Sequence, residues 1–134
     1  MVNCTELWQA YKTAGTDLLA ERTADGHWEG RLASSALATA TAIGALSLVQ
    51  RHGGPAGPET DRLIAAGLDW LARTQTSEGG WGDTDRSPSN IATTMLVRAA
   101  VHLAGAEEKF SNLLADGAQY IDRQGGLEGL RRRY

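Results

Sequence analysis

Apolar residues along the chain recur at the three-to-four-residue spacing of helices, and no stretch combines period-two alternation with β-branched enrichment. Leu63, Ile64, Gly67, Leu68 and Leu71 fall on one side of one run, with Asp61, Arg62 and Asp69 elsewhere. That is the pattern of an amphipathic outer helix. Two other runs differ in kind. The stretch 34–51 is uncharged until Arg51, and the stretch 89–104 carries Arg98 as its one formal charge. A helix that is apolar all round must be surrounded, so these two are expected to be inner helices. The pattern predicts helices over about 5–21, 34–51, 59–74, 89–104 and 106–123, with a short sixth after Gly126. Gly53 to Pro58 break the chain, Pro58 suits a helix start, and Glu59 and Asp61 sit in the first turn that the helix dipole favours.

The helices repeat. Asp17 to Arg22 followed by Asp25-Gly26-His27-Trp28 returns, about fifty residues later, as Asp69 to Gln75 followed by Glu78-Gly79-Gly80-Trp81. Each copy leads into an inner run, Ser35 to Thr41 and then Ser89 to Met95. A decayed third copy lies at Tyr120 to Gly126, where Gln124-Gly125-Gly126 is followed by Leu127 and no Trp. The logic of the turn is mechanical. A helix ends, glycine supplies positive φ, and Trp folds back over the junction with the next helix. A glutamine at the helix end can satisfy free backbone groups. Trp28, Gln75, Gly79, Gly80, Trp81 and Gln124 are therefore read as a structural repeat motif. Alternating outer and inner helices make an all-α fold, a partial α/α barrel of helix–turn–helix repeats over about 14–51, 59–105 and 106–134, within one domain spanning 1–134.

Composition narrows the function. A net charge of −3 argues against a nucleic-acid partner, because phosphate binding needs a basic face. Arg131-Arg132-Arg133 reads as a solvated helix end. The uncharged stretch from Ala33 to Val49 is too short and too weakly apolar to span a bilayer. The start has neither a basic nor an apolar segment, so no signal peptide is expected, and the lone Cys4 fits a reduced, cytoplasmic setting. Cys4, His27, His52 and His102 lie in separate segments and make no metal-ligand set. His102, on an otherwise apolar helix, is expected to be a hydrogen-bonded core histidine. No glycine-rich phosphate loop and no nucleophile–base pair can be written, so neither a cofactor nor a catalytic residue is expected.

Leu68-Asp69-Trp70-Leu71-Ala72-Arg73-Thr74-Gln75 with Gly79-Gly80-Trp81 resembles the QW repeat of the squalene–hopene cyclase and oxidosqualene cyclase superfamily. The order of parts, from Asp25-Gly26-His27-Trp28-Glu29-Gly30 to Gln124-Gly125-Gly126-Leu127-Glu128, resembles the amino-terminal region of such an enzyme over about 14–129. Arg22, where the repeat has Gln, marks a weakened first copy. The resemblance implies a scaffold portion of a class II triterpene cyclase, an isomerase- or lyase-type enzyme of hopanoid and triterpenoid biosynthesis. It implies cofactor-free cyclisation of a linear, squalene-like polyprenoid in the full enzyme. The implied partner is the remainder of the cyclase barrel, and the full enzyme would be membrane-associated. The family's Asp-x-Asp-Asp acid is absent. Asp83-Thr84-Asp85-Arg86 is superficially close but ends in Arg86, and it reads as a solvated turn capping the fourth helix. This chain alone is then expected to be an inactive fragment. Small residues on the inner helices, Ala36, Ala40 and Gly44, then Ala92, Ala99 and Ala100, suit close packing. An uncovered inner face would favour self-association or an apolar ligand. A non-catalytic α/α-repeat interaction module is the alternative reading.

Overall fold

A computed structural model describes residues 3–30, 33–53 and 57–133. Met1-Val2, the middle of the Gly/Pro break at 54–56 and Tyr134 lie outside the described residues. The chain forms two compact units, Met1–Leu32 and Ala33–Tyr134. The described residues form helices joined by turns, with two isolated β-bridges and no strand, so the fold class is all-α.

The first unit contains α1 (Cys4–Ala20), which opens on Asn3, whose side-chain oxygen accepts from the Thr5 backbone N–H. Such a cap satisfies one of the free donors of a helix start. Cys4 is an exposed free thiol in its first turn. Trp8 and Tyr11 stack with centroids 5.3 Å apart, and the Lys12 ammonium lies 5.3 Å from the Trp8 ring centre.

The second unit holds α2 (Ala36–Arg51), α3 (Pro58–Thr74), α4 (Ile91–Leu103), α5 (Ser111–Arg123) and α6 (Gly126–Arg133). Ser35 and Asn90 cap α2 and α4, accepting from the N–H groups of Ala38 and Thr93 at 3.0 and 2.8 Å. α2 packs on α3 and α4, and α4 also meets α5 and α6. The core is Ala40 and Ile43 of α2, Leu68 and Leu71 of α3, Val97 and Val101 of α4, with Trp81, Phe110 and Leu113. Burying each of the larger side chains contributes about 1.5–3 kcal/mol.

Four expectations change. α2 is not surrounded. It meets α3 and α4 on one side, where Ala36, Ala40, Ile43 and Gly44 are buried, while Leu37, Leu48 and Val49 are exposed. A lack of charge records only that no side chain needs water, not that every face is covered. Among the small residues of α4, Ala100 is buried, Ala92 is half-buried and Ala99 is exposed. α5 starts at Ser111, later than the pattern implies. Gly105 takes φ +64, the Ala106 N–H bonds back to the Val101 carbonyl at 3.1 Å, and the chain makes a separate turn before α5 begins. His102 is hydrogen-bonded but not in the core. It is exposed, with Nδ1 3.1 Å from Glu107 Oε1. The helix period carries this position to the solvent side of the last turn of α4, within reach of that separate turn.

Candidate functional site

The turn between α3 and α4 is dense in hydrogen bonds. α3 ends at Thr74, and the Thr76 N–H donates to the Gly80 carbonyl at 3.0 Å while the Gly79 N–H donates to the Thr76 carbonyl at 2.9 Å. Gly79 sits at φ +83, a left-handed conformation that only glycine enters freely. The Gln75 side-chain amide donates to the Gly79 carbonyl at 2.9 Å and to the Leu113 carbonyl of α5 at 3.2 Å. Trp81, 1% exposed, reaches back under the turn, and its indole N–H donates to the Leu71 carbonyl of α3 at 2.9 Å. Its backbone N–H donates to Thr94 Oγ1 of α4 at 3.1 Å. Gln75 and Trp81 therefore fasten three helices, α3, α4 and α5. Orphan carbonyls at the ends and flanks of helices are taken up one by one, which is what buried backbone requires.

The earlier copy in the first unit repeats these bonds. The Thr23 N–H donates to the His27 carbonyl at 2.8 Å, and the Gly26 N–H donates to the Thr23 carbonyl at 3.0 Å. The indole N–H of Trp28 donates to the Leu18 carbonyl at 2.5 Å, and Gly26 has φ +85. Arg22 takes over the bond within the turn, while the bond Gln75 makes to a following helix has no counterpart among the described residues of this copy. Its Nε donates to the Gly26 carbonyl at 2.7 Å, the bond that Gln75 makes, and its guanidinium stands 5.6 Å from the Trp28 ring centre. An N–H on a side chain of adequate reach is what the turn needs, and arginine supplies it. The copies differ in burial, since Trp28 remains 47% exposed. At the third copy Gln124 contributes its backbone. Its N–H donates to the carbonyls of Tyr120 and Ile121, each at 3.1 Å, and α6 begins at Gly126, directly after Gly125.

The Asp83 turn joins α4 to α2. Asp83 Oδ1 accepts from Asn90 Nδ2 at 2.8 Å and from the Thr93 hydroxyl, and the Asp83 carbonyl accepts from Ser35 Oγ at 2.6 Å. The hydrogen bond from Thr93, then that from Asn90, holds the Asp83 carboxyl below its ordinary pKa. The shift is opposite in sign to the one a carboxylic proton donor at neutral pH needs. A carboxyl with a depressed folded-state pKa stabilises the fold above its unfolded pKa, and this contribution is lost as pH falls through the folded value. The expected outcome is a melting temperature that declines below about pH 4, with a smaller decline in Asp83→Asn, followed by circular dichroism. Glu107 is also shifted down, first by its own backbone N–H and then by His102. Burial pushes the Tyr120 phenol up.

Among the described residues no cluster of His, Cys, Asp and Glu could hold a metal ion. A recess of about 340 Å³ opens between the ends of α2 and α4 and is lined by Ser47, Arg51, Ile64, Leu68, Leu103 and Phe110; a shallower one of about 420 Å³ lies between α2 and α3 beside Thr39, Leu63 and Trp70. The rim charges of the first are engaged. Arg51 donates to the Leu103 carbonyl at 2.7 Å, and Lys109 pairs with Asp69 at 2.8 Å. A cavity of about 60 Å³ lies beside Trp70 and Trp81 under the turn.

The sequence matches the family described as the squalene–hopene cyclase N-terminal domain over residues 11–132. It is 30% identical over 113 residues to "Enfumafungin synthase efuA" of Hormonema carpetanum, a stretch covering 80% of this chain and 8% of that protein. No solved structure matches significantly. No helix among the described residues is long and apolar enough to cross a membrane. With its all-α architecture, its glycine–tryptophan turns and a family match over nearly its whole length, the chain belongs to the squalene–hopene cyclase N-terminal domain family.

Proposed function

We propose that the chain is a scaffold portion of a class II triterpene cyclase and does no chemistry itself. The observation that carries this reading is the use of the motif residues. Gln75 and Trp81 spend their polar hydrogens on backbone carbonyls of α3, α5 and their own turn. Groups so engaged position helices and are not available to a substrate. In this reading the repeats 14–51, 59–105 and 106–134 are successive helix pairs of one α/α barrel, and 1–134 acts as one domain. The remainder of the cyclase is the partner. A linear polyprenoid such as squalene is the substrate of the whole enzyme, cyclised without cofactor or metal. Cytoplasmic placement, with membrane association of the longer protein, goes with it.

The second reading is a non-catalytic α/α-repeat interaction module. The exposed Leu37, Leu48 and Val49 on α2 favour it, since they offer a second copy of the chain an apolar strip. One assay separates the two. Purified 134-residue chain incubated with squalene in detergent is expected to give no cyclised product by gas chromatography, while the longer protein containing it gives product. Turnover by the short chain overturns the scaffold reading; turnover by neither selects the module.

A further inference from the structure

α1 carries no buried residue. Leu7, Trp8, Tyr11, Leu18 and Leu19 are each 57 to 67% exposed, and with Gly15 they recur at three- and four-residue steps along one side of the helix. The charges stand off this side. Glu6 and Asp17 fall on the far side by the helix period, and the Lys12 ammonium lies against the Trp8 ring. A 17-residue helix that buries nothing is marginal in water.

Gly15 lies within the apolar side. Glycine in a helix interior costs stability relative to alanine. Among the described residues a Cβ at position 15 would meet nothing within 4 Å, so no contact inside the chain calls for glycine there. What it leaves is a notch one turn from Tyr11, whose ring stacks on Trp8. The side is therefore bulky before the notch and carries Leu18 and Leu19 after it.

We propose that α1 docks antiparallel on α1 of a second copy of the chain. Pairing centred on Thr13 sets each Tyr11 ring into the notch at Gly15 of the second copy, and Leu7 and Trp8 against its Leu18 and Leu19. One surface supplies both halves of the contact, as a two-fold interface requires. Parallel pairing would set Tyr11 on Tyr11 and leave both notches unfilled. Covering five large side chains on each copy removes on the order of 1,000 Å² of surface, the lower bound for a specific interface. The contact uses α1 alone and holds under either reading of the function.

Sedimentation equilibrium of the 134-residue chain is expected to show monomer near about 1 μM and dimer near about 100 μM, the weak end for an interface of this size. Gly15→Leu fills the notch with a better helix former. It is expected to abolish the dimer while helix content, read by circular dichroism, holds or rises. Tyr11→Ala also loses the dimer, and Leu48→Gln on the exposed side of α2 keeps it. A nitroxide on Cys4, the one cysteine, sits beyond the contact, because the position opposite it falls past Ala20. Two such labels are expected at a single separation of roughly 30 Å, since about eighteen residues of helix rise part them. A chain that stays monomeric at the higher concentration overturns the proposal. So does a dimer that survives Gly15→Leu, one that Leu48→Gln dissolves, or labels closer than about 20 Å, which a parallel pair would give.

Discussion

Replacing Trp81 by alanine is expected to remove about 3–5 kcal/mol of stability, enough to leave residues 33–133 without a cooperative melt near room temperature. Two losses combine. The indole is 1% exposed and packs with Ala36, Leu68, Leu71 and Val97 in one core cluster, so truncation opens a cavity that α3 and α4 cannot close. The Leu71 carbonyl also loses the indole N–H that reaches it at 2.9 Å. Trp81→Phe separates the terms, because it keeps most of the volume and removes the hydrogen bond. An intermediate cost of about 1–3 kcal/mol is expected, since the Leu71 carbonyl keeps only the longer bond from the Thr74 hydroxyl at 3.3 Å. The measurement is the urea midpoint followed by far-ultraviolet circular dichroism. A loss below about 1 kcal/mol for the alanine variant would mean the turn does not hold the second unit together.

Trp28 makes the same indole bond to a helix carbonyl in the first unit but stays 47% exposed. Sequence alone treats the two tryptophans as equivalent copies, and the local hydrogen bonds justify that. Their energetic weights differ because the weight comes from what surrounds the ring. The turn is local and legible: Thr23 and Thr76, Gly26 and Gly79, Trp28 and Trp81 stand at matching places and make matching bonds. The helix pattern alone runs the second and fourth helices back to 34 and 89, whereas the Ser35 and Asn90 caps start them at Ala36 and Ile91. Long-range partners were not legible. The second acceptor of Gln75 is the Leu113 backbone carbonyl, a group every residue carries, so no sequence signal marks it. The first unit also shows that Arg22 can replace the glutamine, because the turn asks for a reaching N–H and not for an amide. His102 and the exposed side of α2 were misjudged because helical periodicity says which residues share a face, not which faces meet a neighbour. Asp83 reads from sequence as part of a solvated turn capping the fourth helix, with no sign of which groups it holds. Its role in tying Asn90 and Thr93 to the start of α4 depends on a fold-back of the chain.

Gly79→Ala is expected to cost roughly 2–4 kcal/mol, far more than a methyl group placed in open space. Two effects reinforce each other. At φ +83 an alanine bears the left-handed penalty of about 1–2 kcal/mol. Its Cβ would also stand 2.7 Å from the Asp116 carbonyl oxygen of α5. That oxygen belongs to helix backbone and cannot rotate away, so the turn must lift from α5. The Gln75 bond to Leu113 would lengthen with it. Gly105 is the internal control in the same unit: its φ is +64, but a Cβ there meets nothing within 4 Å. Gly105→Ala should therefore show the conformational penalty alone, about 1–2 kcal/mol. Asparagine sharpens the contrast, because it tolerates the left-handed region but still carries a Cβ. Gly105→Asn should recover most of the loss, whereas Gly79→Asn should not, as read from urea midpoints. Equal costs at both positions would show that backbone conformation alone fixes the glycine. A larger cost at position 79 that asparagine cannot relieve would place the cause in the close seating of the turn on α5, the contact through which this repeat holds the next.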